Sequence, residues 1–137
     1  MATIEKFEDL EVWQLARTIC QKIEQLFQRT SLGKNFSLKD QMERSSGSIM
    51  DNIAEGFGRD GNREFHNFLS YAKGSCTELK SQLYRAFDKE LIHKDQMESV
   101  QEIIETEINK IGAFMFYLRK SEFKGQKFKS EQRNNKQ

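Results

Sequence analysis

Not one proline occurs in the 137 residues, and glycine occurs only 8 times. Turns draw on both residue types, so a β-sandwich or barrel of this length lacks the material for its connections. A chain without proline can instead run its backbone hydrogen bonds through long uninterrupted helices. The spacing of its apolar residues then says where those helices lie.

Residues 9–30 carry the clearest pattern. At 100° per residue, Val12, Trp13, Leu15, Ala16, Ile19, Cys20, Ile23, Leu26 and Phe27 fall within an arc of roughly 160°. Asp9 is the expected N-cap, and Gly33 the expected terminator. The arc is wider than the ~100° that one buried stripe needs. Trp13, Cys20 and Phe27 are therefore candidate subunit-interface residues.

A second helix is predicted from Ser37, as N-cap, to Phe57, with Leu38, Met42, Ser45, Ile49, Ile53 and Gly56 on one face. Its stripe is thin, and Ser45 and Gly56 let a neighbouring helix come close. A third is predicted from Asn62 to Lys89, capped near Asn62 or Gly61. Phe65, Phe68, Leu69, Ala72, Cys76, Leu79, Leu83, Ala86 and Phe87 span about 100° of it. A fourth is predicted from Lys94 to Lys120, on Met97, Val100, Ile103, Ile104, Ile108, Ile111, Phe114, Met115 and Leu118. Short links between long helices make neighbours antiparallel. The expected fold is therefore all-α, an up-down-up-down four-helix bundle over residues 1–120. Residues 121–137 read as a flexible, basic polar tail.

Charge is unevenly shared. Residues 119–137 hold seven Lys or Arg against two acids, which leaves the rest of the chain at a net −4. No apolar run approaches the roughly 20 residues needed to cross a bilayer, and no secretory leader is visible, so a cytoplasmic location is expected without membrane contact. Eleven Phe, three Tyr and one Trp are too many core-forming rings for a disordered chain.

Few residues suggest catalysis. A di-iron bundle needs two Glu-x-x-His pairs, and only Glu90 to His93 is present. Cys20 and Cys76 lie on apolar arcs, where a thiol behaves as a small hydrophobe. No phosphate loop or nucleophile elbow occurs. No metal, cofactor or catalytic residue is expected.

Two constellations remain. Asn52 and Glu55 sit at the edge of the second helix's stripe. A half-buried amide and carboxylate need partners, and the candidates are Ser75 and Gln82, on the flank of the third helix that also carries Glu64 and Glu78. The second constellation is basic. Lys73 and Lys80 are one heptad apart, flanked by His66 and Tyr84, and the tail adds Lys120, Lys124, Lys127 and Lys129. Lysines spaced along a helix can track phosphates, and a neighbouring ring can stack on an unpaired base.

Three segments in order carry a resemblance. They are Phe7-Glu-Asp-Leu-Glu-Val-Trp13; Gln41-Met-Glu-Arg-Ser-Ser46 leading into Asn52-Ile-Ala-Glu-Gly56; and Glu64-Phe65, Phe68-Leu69 with Ala72-x-Gly-Ser-x-x-Glu-Leu79. The chain resembles the four-helix-bundle family of 23S rRNA intervening-sequence proteins from about Phe7 to Leu118. The resemblance implies a ring-like homopentamer and marks Asn52, Glu55, Gly56, Gly74, Ser75 and Glu78 as a signature polar network. More distantly, the family is similar to the accessory variability determinants of diversity-generating retroelements, basic pentameric barrels that bind reverse transcriptase and nucleic acid. This chain departs from them in its mildly acidic body. The expected role is non-enzymatic binding of structured ribosomal or intervening-sequence RNA. The alternative is a homo-oligomeric scaffold or accessory subunit for another protein.

Overall fold

The computed structural model describes residues 4–121, which form four helices: α1 (Glu11–Arg29), α2 (Phe36–Gly58), α3 (Asn62–Asp88) and α4 (Lys94–Ser121). Short 3-10 turns occupy Phe7–Asp9 and Ser31–Lys34, and there is no strand among the described residues. Residues 122–137, and with them Lys124, Lys127 and Lys129, lie outside the described part.

The helix ends show local chemistry at finer grain than periodicity could. Asp9 belongs to the first 3-10 turn, so α1 is entered from Leu10 with no side-chain cap. The Gln14 side chain instead donates back to the Glu8 carbonyl at 2.9 Å. At the other end Thr30 does the work assigned to Gly33. Its hydroxyl donates to the Leu26 carbonyl at 2.6 Å and accepts the Leu32 N–H at 3.2 Å, ending α1 and opening the second 3-10 turn at once. Gly33 lies inside that turn, where a Cβ would run into the Phe27 carbonyl. The cap of α2 is Asn35, not Ser37: its Oδ1 accepts the Leu38 N–H at 3.1 Å. Gly61, at φ +93°, caps α3, a backbone conformation that favours glycine. Asn62 is thereby released to donate to the Leu118 carbonyl at 2.9 Å and to Ser121 Oγ at 3.1 Å.

Each helix touches two others: α2 lies against α1 and α3, and α4 against α3 and α1. One core results, with Ile19, Ile23, Leu38, Met42, Ile49, Ile53, Phe65, Leu69, Leu79, Leu83 and Ile104 fully buried. The contact between α2 and α3 is the tightest. A Cβ on Gly56 would stand 2.6 Å from Phe68 Cβ and 2.8 Å from Phe65 Cδ1. The Phe65 ring then packs edge-to-face on Phe114 of α4, with centroids 5.2 Å apart.

One buried residue breaks the apolar pattern. Glu107 is fully buried on α4, and neither carboxylate oxygen has a hydrogen-bond partner. Burial pushes its carboxyl up to about 9, so it is neutral at physiological pH. Its field also reaches Cys76, whose thiol is raised first by burial and then by Glu107. On the helical wheel Glu107 falls between Phe114 and Val100, inside the apolar arc.

Two expectations follow. Gly56→Ala lowers stability by about 1–2 kcal/mol through overpacking. Gly47→Ala, where a Cβ meets nothing within 4 Å, raises it by about 0.5–1 kcal/mol through helix propensity. Thermal unfolding of the pair checks the opposite signs. Second, the Glu107 carboxyl ionises near 4.5 in the unfolded chain but near 9 in the fold. The unfolded state gives up its proton first, so this residue's contribution to stability falls as pH rises between those values. Glu107→Leu should remove about 4 kcal/mol of the stability lost between roughly pH 5 and 8, as read by urea unfolding at both ends.

Candidate nucleic-acid interface

Lys73 and Lys80 follow one flank of α3, and that flank lies beside α4. Lys80 sits midway. Its ammonium is 2.8 Å from Glu105 Oε1, an ion pair that raises the lysine's pKa, and Gln101 donates to the Lys80 carbonyl at 3.2 Å. Lys80 is thus engaged within the protein. Tyr84, one turn further on, is half exposed.

Two turns toward the start of α3 the surroundings change. Lys73 is exposed and lies over Gly112 of α4, whose missing side chain leaves the space open. His66 Nε2 is 2.8 Å from an Arg119 nitrogen. Burial, helped by the arginine's charge, lowers the histidine's pKa, so at neutral pH it accepts from the guanidinium as an uncharged ring. Phe116 is 55% exposed between these groups, with Arg119 and Lys120 over its ring at 5.8 Å and 5.5 Å from the centroid. Among the described residues, no carboxylate forms an ion pair with Lys73, Arg119 or Lys120. The α3–α4 edge therefore has a neutralised middle and an uncompensated basic end.

The signature polar residues line a different surface. An open groove of about 730 Å³ runs between α2 and α3, walled by Ser48, Asp51, Asn52, Glu55, Ser75 and Glu78 among others. Ser48 is its hub, a residue that periodicity did not single out. Asn52 Nδ2 donates to the Ser48 carbonyl and hydroxyl, both at 2.8 Å, and Ser75 Oγ donates to Ser48 Oγ at 3.0 Å. Glu55 does not reach α3 as expected. It pairs with Arg59 on its own helix at 2.8 Å, while Gln82 donates to Glu78 at 3.4 Å. Gly74 opens onto free space, whereas Gly56 is packed under Phe68. Glu43, Asp51, Glu55 and Glu78 outnumber Arg44 along this groove, so its field repels a polyanion.

The three interface candidates differ in what surface they retain. Phe27 is buried within the single chain, with the Lys39 ammonium 5.7 Å from its ring centroid. Cys20 is half-buried and donates to the Ser46 carbonyl at 3.2 Å. Trp13 is half-buried, edge-on to Phe7 at 5.1 Å, with Arg17 over its ring. His93 is exposed, and among the described residues no three His, Cys, Asp or Glu gather where a metal could sit. No described helix is long and apolar enough to cross a membrane.

Comparison with known proteins bears on the fold and the family. A crystal structure of a protein of unknown function from Bacteroides thetaiotaomicron, assigned to the S23 ribosomal protein family, superposes with a TM-score of 0.69 at 21% identity, covering 76% of this chain and 97% of that one. At that identity the likeness is one of fold. No curated protein matches the chain. The model of the 23S rRNA-intervening sequence protein family matches residues 8–113, from the first 3-10 turn through most of α4. The chain belongs to the 23S rRNA-intervening sequence protein family.

Proposed function

We propose that the chain is a non-enzymatic RNA-binding module that engages structured ribosomal or intervening-sequence RNA along the α3–α4 edge. The observation that carries this reading is the uncompensated basic end. Arg119 and Lys120 lie over an exposed ring and Lys73 lies over Gly112 one turn away, and among the described residues none of the three forms an ion pair with an acid. The sequence beyond adds Lys124, Lys127 and Lys129. Cations held against phosphates release counterions, so binding of this kind weakens steeply with salt. The acidic α2–α3 groove repels the same RNA and so sets its orientation. The family's description, which names 23S rRNA, supports the same polymer.

An antiparallel, up-down-up-down course of the helices belongs to this reading. It is supported by Asn62, at the start of α3, meeting the end of α4, and by Arg85, near the end of α3, meeting Gln41, near the start of α2. So does assembly into a ring-like homopentamer in the cytoplasm, as the resemblance implies. A weak site repeated around a ring gains avidity without new contacts. Trp13 and Cys20, which keep some surface, are the candidate contacts between copies. A second reading, a scaffold for another protein, draws on Phe36, which is 76% exposed at the start of α2.

The reading is tested by titrating a fluorescent ribosomal RNA hairpin at low and physiological salt. Lys73→Ala and Lys120→Ala together should reduce the salt slope by about two. Glu105→Gln should tighten binding a few-fold, because it frees Lys80 for phosphate. No binding by the unmodified protein at low salt would shift the assignment to the scaffold. Separately, Trp13→Glu should lower the mass measured by light scattering, and an unchanged mass would remove helix α1 from the subunit contact.

A further inference from the structure

Phe116 is a large ring that the bundle leaves mostly in water. It stands 55% exposed on α4, although Phe114 and Met115 on either side of the same turn pack against the core. A large apolar ring facing water is a cost that burial would remove. Two cations take the place of apolar neighbours: the Arg119 guanidinium at 5.8 Å and the Lys120 ammonium at 5.5 Å from the ring centroid, both drawn to its negative face. Lys120 lies on the surface and can swing from ring to solvent by side-chain rotation alone, whereas Arg119 is also held by His66.

The surroundings are arranged along the same edge. Gly112, one turn before Phe116, presents no side chain, and Lys73 reaches across that gap from α3. His66 fixes the Arg119 guanidinium at 2.8 Å without neutralising it, because the ring is uncharged at neutral pH. The result is an exposed aromatic ring with two cations over it and a third, Lys73, one turn away over Gly112. A ligand that fits must bring a flat π-surface and a negative charge on each side of it. An unpaired nucleotide has that composition: a base for the ring and its flanking phosphates for the cations.

We propose that Phe116 is a stacking platform for a single unpaired RNA base, with Lys73, Arg119 and Lys120 holding the adjoining phosphates. This rests on the RNA reading above and narrows it to a substrate class, RNA with a bulge, loop or single-stranded end. In a continuous A-form helix the base faces are covered by their neighbours and offer nothing to Phe116. Every base has a π-face, so the site selects for the unpaired state and tolerates any base.

The test uses the full chain and two RNAs, a perfectly paired duplex and the same duplex with one bulged 2-aminopurine. The bulged RNA should bind about tenfold more tightly, and its fluorescence should change as the base stacks. Phe116→Ala should abolish both the preference and the fluorescence change while leaving duplex affinity and its salt slope in place; Phe116→Trp should keep them. Helical circular dichroism confirms that each variant folds. Equal binding of both RNAs, or a preference that survives Phe116→Ala, would overturn the platform but leave the RNA reading standing. Polyglutamate displacing the bulged RNA equally well from the unmodified protein and from Phe116→Ala would also overturn it, marking a general polyanion surface. Binding of neither RNA at low salt would overturn the RNA reading itself.

Discussion

The approach of α2 to α3 at Gly56 governs the rest of this bundle. Phe68 and Phe65 sit where any Cβ at position 56 would be, so the two helices close to a distance that only glycine allows. Phe65, pinned there, reaches Phe57 on one side and Phe114 of α4 on the other. The edge-to-face contacts tie three helices to one ring. They also set the height at which α3 meets α4, and so whether Lys73 lies over Gly112 and His66 over Arg119. The basic end of the α3–α4 edge is a consequence of that register.

Around this constraint the chain separates its charges by face. The α2–α3 groove carries four acids against Arg44, while among the described residues the cations at the end of the α3–α4 edge form no ion pair with an acid. A protein with a net charge of only +1 thereby presents two fields of opposite sign. Lys80 lies between these regimes, held by Glu105. Glu107, buried with both oxygens unpartnered, stands apart from both fields and weakens the fold as pH rises from about 4.5 to about 9.

The helices were legible in the sequence because their stripes are long and regular. The α2 stripe of Leu38, Met42, Ser45, Ile49, Ile53 and Gly56 is buried throughout, and α3 and α4 begin where their patterns begin. Helix ends were legible only in part. Asn35 displaced Ser37 and Thr30 displaced Gly33, because a cap depends on which side chain meets a free N–H or carbonyl, and spacing does not encode that. Glu107 was visible on the wheel, inside the apolar arc, but a charge is naturally assigned outside it. The Ser48 hub was hidden because a serine on a helix gives no periodic signal. Phe116 was missed for the opposite reason. It lies off the stripe in a run of apolar residues, and only its exposure among cations distinguishes it from its neighbours.

The most direct measurement is a map of where RNA touches the protein, obtained from amide and methyl NMR shifts on adding a bulged ribosomal RNA hairpin. The account expects the perturbed signals to cluster at His66, Lys73, Gly112, Phe116, Arg119 and Lys120, with Ser48, Asn52 and Glu78 unmoved. Shifts centred on the α2–α3 groove, or none at all at low salt, would contradict it.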